Sequence, residues 1–180
     1  GTCPLPEARV DRFMMKVLGD YPTEEEEFVI AQRVTGPATE VQAVCDTVAL
    51  QALQKECRSV YVDPSLIQYA VKLVSATRSP QRYELADLAK YLTFGASPRA
   101  TIGLVEGARA RAMLRGRRYA LPEDMVDLVP DVLRHRLVLS YEALADNLTA
   151  DQIVQRVMQK IGMPDKPLAH AHDNGNALHA

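Results

Sequence analysis

The chain has 180 residues, 47% of them hydrophobic, so it is long enough for one large or two small domains with a sizeable core. A formal net charge of −2 argues against a generally basic nucleic-acid binder, and no apolar run approaches the ~20 residues that span a bilayer. Cys3, Cys45 and Cys57 follow no metal-ligand spacing and form no even set, which reads as reduced thiols in a cytoplasmic protein.

Gly1 to Glu7 is a turn-rich loop, and no signal-peptide pattern opens it; the natural start is expected upstream of Gly1. Phe13 to Val17 (FMMKV) reads as a short buried strand, ended by Gly19-Asp20-Tyr21-Pro22. Arg12 stands just before it. On local spacing alone Arg12 pairs with Asp11 or Glu7 at the surface, and Arg9 reads as a surface residue. Thr23 and Glu26 have capping-box spacing, and Glu24 to Glu27 load a first helical turn with negative charge. That run is helix-start chemistry rather than a metal site, because adjacent glutamates on a helix point to different faces. Gly36-Pro37 stops the helix. Val41 to Val62 is helical in character, with Val44, Val48, Leu50, Leu53 and Cys57 apolar. Asp63-Pro64 caps and starts another helix, whose stripe is Leu66, Ile67, Ala70, Leu73 and Val74. Arg78 to Tyr83 reads as a polar loop, and Glu84 to Thr93 fits no single pattern.

The next stretch, Gly95 to Arg118, reads GASPRATIGLVEGARARAMLRGRR. Ser97 is a natural N-cap, Pro98 suits the first helical position, and Arg99 is then the second residue of a helix running to about Arg115, with Gly116 as its stop. Unpaired N–H groups at a helix start, with an arginine fork beside them, make a compact anion site. Ile102, Val105, Ala108 and Ala112 mark the expected buried stripe, and the glycines and alanines keep this helix thin. Pro122-Glu123-Asp124 starts a further helix burying Met125, Leu128, Val129, Val132 and Leu133, with Leu121 in the N-cap place. Thr149 and Gln152 open a last helix, which Gly162 and Pro164 end. The remaining tail, with His170, His172 and His179, reads as disordered. His135 has no metal-binding partner three or four residues away and reads as a packing or helix-end residue. Arg109, Arg111, Arg115, Arg117 and Arg118, with Arg134 and Arg136, form either a nucleotide- or partner-facing basic surface or a solvated face paired with acidic residues.

GASPRA, followed by GRRY, then PED, then VLRHRL, resembles the second-sensor region of MoxR-type AAA+ ATPases. GTCPLPEARVDRF resembles the segment just after the first sensor of the same family, and the two motifs stand in family order. The resemblance covers roughly residues 1 to 163. No glycine here is followed by lysine, so the GxxxxGK[ST] phosphate loop is missing; the resemblance puts that loop and the magnesium-binding acidic strand upstream.

The resemblance implies a mainly α fold: the last strand and helix of an α/β AAA+ core (1–36), a helical linker or insert (37–62), an all-α lid bundle (63–163) and a tail (164–180). It implies that Arg12 is an arginine finger reaching a neighbouring subunit's nucleotide. It makes Arg99 the second sensor, with Ser97 and Pro98 beside it at the nucleotide. It further implies a chaperone-like motor using ATP and magnesium in the full-length protein, assembled in a ring, as a hexamer, beside a von Willebrand A-domain partner. The isolated chain is expected to bind neither cofactor strongly and to hydrolyse no ATP. The other reading is a stand-alone helical module contacting an acidic partner or nucleic acid, without nucleotide chemistry.

Overall fold

The computed structural model of the protein describes residues 6–38 and 40–164. The opening loop with Cys3 and the tail from residue 165, with its three histidines, lie outside the described residues. Helices dominate: α1 (Glu7–Val10), α2 (Glu24–Thr35), α3 (Thr47–Ser59), α4 (Pro64–Arg78), α5 (Pro98–Leu114), α6 (Pro122–Val126), α7 (Val129–Leu133), α8 (Tyr141–Ala145) and α9 (Ala150–Ile161). Two short strands, β1 (Leu92–Phe94) and β2 (Val138–Leu139), pair antiparallel with Leu92 opposite Leu139.

Local chemistry sets most helix starts. Glu26 N–H donates to Thr23 Oγ1 at 3.3 Å and Thr23 N–H to Glu26 Oε2 at 2.9 Å, closing the expected box ahead of α2. Asp63 caps α4 by accepting from Ser65 N–H at 2.8 Å. Thr149 and Gln152 close a second box, and Gly162, at φ 65°, ends α9.

The core is built by α4, α5, α6, α7 and α9. Leu66, Leu73 and Val74 of α4 and Ile153, Val154 and Val157 of α9 are fully buried, together with Leu104, Met125, Val129, Val132 and Leu133. Helix α5 buries its small residues. Ala100, Ala108 and Ala112 are completely covered, and a Cβ at Gly107 would stand 2.7 Å from Leu128 Cδ1. The expected stripe is therefore offset: Ile102 is 62% exposed, and the buried line runs through Ala100, Gly103, Leu104, Gly107, Ala108 and Ala112. Close packing of neighbouring elements selects the thin face, which a rule that follows large apolar residues passes over.

Three further expectations need correction. Phe13–Val17 forms no strand, and Phe13, Met14 and Val17 are exposed. A strand needs a partner for its N–H and C=O groups, and among the described residues no neighbouring strand supplies one. The helix expected from Pro122 is two helices, interrupted at Asp127–Leu128. Pro130 has no N–H to continue the ladder and stands in the first turn of α7, where none is required. Residues Pro80–Tyr83 form a 3₁₀ turn rather than a plain loop.

Helices α2 and α3 bury none of their residues; Phe28, Ile30 and Val34 on α2 and Val48 on α3 stay exposed.

Asp124 is the most enclosed charge of the lid. Its side chain is 0% exposed and accepts from Arg117 at 2.6 and 2.7 Å, Arg115 at 2.9 Å and Leu121 N–H at 2.8 Å. The last bond is why an apolar Leu121 can stand at the N-cap of α6. Burial pushes the Asp124 carboxyl up, but Arg117, the Leu121 amide and Arg115 outweigh it and hold it below its ordinary value. The unfolded chain therefore takes up this proton at higher pH than the folded one. Its stabilisation is complete above the unfolded carboxylate value, about pH 4, and is lost as pH falls further. The Asp124 share of the melting stability should be flat in pH near neutrality and decline below about pH 4, which the difference between wild type and Asp124→Asn isolates. Asp124→Asn should melt lower at neutral pH, by about 2 kcal/mol of stability, with a shallower acid decline.

Candidate functional site

The site forms where the start of α5 meets the segment after α1. Ser97 Oγ accepts from Arg99 N–H at 3.2 Å, so the expected cap is present, with Pro98 first in the helix and Arg99 second. The same hydroxyl donates to Asp11, whose carboxylate oxygens both lie at 2.9 Å. Arg99 Nη1 donates to Asp11 Oδ2 at 3.0 Å, and the Arg99 side chain remains 56% exposed. Asp11 thus touches both residues that begin the helix.

Arg136 also reaches Asp11, and its side chain is only 2% exposed. Its Nε donates to Asp11 Oδ1 at 3.2 Å. Nη2 donates to the carbonyls of Phe13 at 2.6 Å and Asp11 at 3.2 Å; Nη1 donates to Met14 O at 3.0 Å and to Val132 O. Every nitrogen of the guanidinium is used. Burial pushes the Asp11 carboxyl up, but bonds from Arg99 and Ser97 and the charge of Arg136 overcome this and hold it below its ordinary value.

The neighbours of Arg136 continue the seam. His135 Nε2 lies 3.0 Å from Phe13 O, which can only accept, so the ring carries its proton there. Burial lowers the His135 pKa and keeps the ring neutral near pH 7. Arg134 donates to Lys16 O at 2.7 Å, to Asp151 at 2.9 Å and to Asp131, while Lys16 N–H reaches Asp131 O at 2.8 Å. The RHR run of LRHRL is therefore the dock for residues 11–16. Those residues follow a carbonyl-by-carbonyl pattern in place of a strand ladder.

Arg12 does not make the local pair with Asp11, whose oxygens are taken by Ser97, Arg99 and Arg136. It is exposed, and among the described residues no ion pair holds it. Arg12, Arg99 and Arg136 line one shallow cavity of about 220 Å³ with Met14, Gly103 and Glu106. Two of its three cations have unused donors, and Glu106 sets a carboxylate beside them. Among the described residues no three His, Cys, Asp or Glu side chains converge as a metal site.

The other arginines are mostly paired. Arg109 meets Glu106 at 2.9 Å, Arg111 meets Asp127 at 2.6 Å, and Arg115 and Arg117 hold Asp124. For these four the paired-face reading holds. Sequence reasoning missed Asp11 and Arg136 as members of the site. For Arg136 the signal was an arginine on each side of His135 just past the end of α7; for Asp11 no local spacing gave one.

The fold and the arginine-lined seam define an AAA+ lid carried by the end of a core. The family model for the AAA lid domain matches residues 84–157. Chaperone MoxR1 of Mycobacterium tuberculosis is 41% identical over 164 residues, covering 91% of this chain and 44% of that protein. An uncharacterized Bacillus subtilis protein, YeaC, is 34% identical over 166 residues, covering 91% of this chain and 49% of that one. A crystal structure of a Cytophaga hutchinsonii protein assigned as an ATPase superposes with a TM-score of 0.85 at 38% identity, over 92% of this chain and 51% of that one. The chain belongs to the MoxR-type AAA+ ATPases and corresponds to their C-terminal, lid-bearing part. It spans about half the length of the curated relatives it matches. No helix among the described residues is long and apolar enough to cross a membrane.

Proposed function

We propose that this chain is the lid and arginine-finger region of a chaperone-like, ring-forming ATPase. Its residues 1–36 complete the core, 37–62 link or insert, and 63–163 form the lid. The observation that carries the reading is that Arg12 and Arg99, far apart in sequence, line one shallow cavity. Phosphoryl transfer spreads negative charge over oxygens, and cations placed beforehand stabilise it. In this reading Arg12 is the finger and Arg99 the second sensor, with Ser97 and Pro98 holding the helix start that presents Arg99. Magnesium bound upstream would neutralise phosphate charge. This chain's own share is to hold two guanidinium groups toward the same anion.

The ring is a hexamer in this reading, working in the cytoplasm, with a von Willebrand A-domain protein as its partner. The support is family likeness, and the cavity adds a cationic face for a neighbouring subunit's nucleotide.

The test uses the parent protein with its phosphate loop. Arg12→Ala should lower ATP turnover by about a thousandfold, and Arg99→Ala should lower it strongly too. Unchanged turnover in both variants, in assembled rings, would reject the reading. Arg99→Ala should cost at most about 1 kcal/mol in a denaturation curve, because the side chain is more than half exposed and its ion pair is screened.

A further inference from the structure

Asp11 precedes the finger residue and meets the second-sensor arginine, and this links two functional groups through one carboxylate. Its side chain is 19% exposed and lies between Arg99, Arg136 and Ser97. A carboxylate is acceptor-only, and here it receives four donor contacts from three side chains. Arg136 supplies rigidity. It is buried, and it also grips the backbone carbonyls of Asp11, Phe13 and Met14, the residues around Arg12. Arg99 supplies reach. One nitrogen, Nη1, is held by Asp11, while more than half of the side chain stays open toward the cavity that Arg12 also lines.

We infer that Asp11 is a positioning residue for phosphoryl transfer: anchored by Arg136, it aims Arg99 and ties it to the loop that carries Arg12, so both cations meet the same phosphate. This rests on the nucleotide role proposed above for those arginines. A flexible arginine side chain has many rotamers, and a carboxylate on one corner selects those that face the cavity. Substitution by asparagine keeps the size of the side chain. It replaces one acceptor with an N–H₂ donor that faces guanidinium N–H groups, so it abolishes the anchoring while Arg99 itself remains. Misplacement of a catalytic group by about 1 Å can cost on the order of a hundredfold in rate.

The test is a double-mutant cycle in the parent ATPase, in rings whose assembly and melting are checked. Asp11→Asn should lower kcat by roughly a hundredfold with KM little changed. Placed on Arg99→Ala, the same substitution should lower kcat no further, because the group it aims is gone. Wild-type turnover in Asp11→Asn, when Arg99→Ala has lost it, would overturn the positioning role and leave the nucleotide reading standing. An equal further loss on the Arg99→Ala background would also overturn it, since Asp11 would then act on stability or on another group. Full activity of Arg99→Ala itself would remove the second-sensor role of Arg99 and this inference with it, whereas the nucleotide reading as a whole falls only if Arg12→Ala is fully active as well. Should Asp11→Asn fail to assemble, Asp11→Glu carries the same cycle. It keeps the charge opposite Arg136 and moves the carboxylate by one methylene, so kcat should fall with Arg99 present and not without it.

Discussion

In mixed rings of the parent protein, ATP turnover lost in Arg12→Ala should return when a second variant supplies the missing cation. One component carries Arg12→Ala, with a sound nucleotide pocket and no finger to offer. The other lacks its phosphate-loop lysine, so its own pocket is dead while both arginines remain. In a mixed ring some sound pockets face an intact Arg12. A lost finger costs on the order of a thousandfold, so recovery should stand far above background. Absence of recovery in rings shown to be mixed would reject the finger role. Arg99→Ala in place of Arg12→Ala should recover in the same mixture, because both side chains line one cavity and Asp11 joins them. Recovery for Arg12 with none for Arg99 would mean that they serve different nucleotides, and the shared cavity would lose its functional meaning.

Gly95→Ala should be among the most damaging substitutions for the lid. A Cβ there would lie 2.3 Å from Thr77 O, 2.5 Å from Thr77 C and 2.7 Å from Arg78 N, all backbone atoms at the end of α4. No side chain can swing aside to make room. The neighbouring bonds would have to move with the backbone: Ala96 N–H to Thr77 Oγ1 at 2.9 Å, buried, and Arg78 Nη1 to Ala96 O at 3.0 Å. Overpacking of this kind costs about 1–3 kcal/mol, a melting shift of roughly 4–24 °C for a domain near 100 residues, and the upper end is expected here because only backbone could yield. Gly19→Ala, which meets nothing within 4 Å, is the control and should melt as the wild type. A Gly95→Ala lid that melted with the control would show that the seam between α4 and the start of α5 yields easily.

Much of the helical framework was legible because its signals are local. The boxes at Thr23 and Thr149, the Asp63 cap and the Ser97-Pro98 start each depend on residues within one turn of each other. The covered positions of α4 and α6–α7 followed from apolar spacing, apart from Ile67, which is 37% exposed. On α5 Ala108 and Ala112 are covered as expected, but Ile102 was misplaced and Ala100, Gly103 and Gly107 were passed over, because glycine and alanine carry little hydrophobic signal. The expected strand at Phe13–Val17 failed for another reason: a strand is defined by its partner, and apolar content alone cannot provide one.

The sequence by itself determined where α2, α4, α5, α6 and α9 start, that Arg99 stands in the first turn of α5, and which family the GASPRA and DRF motifs belong to. Only the tertiary structure decided that Asp11 joins Ser97, Arg99 and Arg136, that the RHR run holds residues 11–16 by their carbonyls, and that Arg12 and Arg99 share a cavity. Caps and helical stripes repeat with the chain's own geometry and can be read from spacing. An ion pair between residues more than eighty positions apart has no spacing to read, and it forms only because the packed core of α4, α5, α7 and α9 carries its members to the same place.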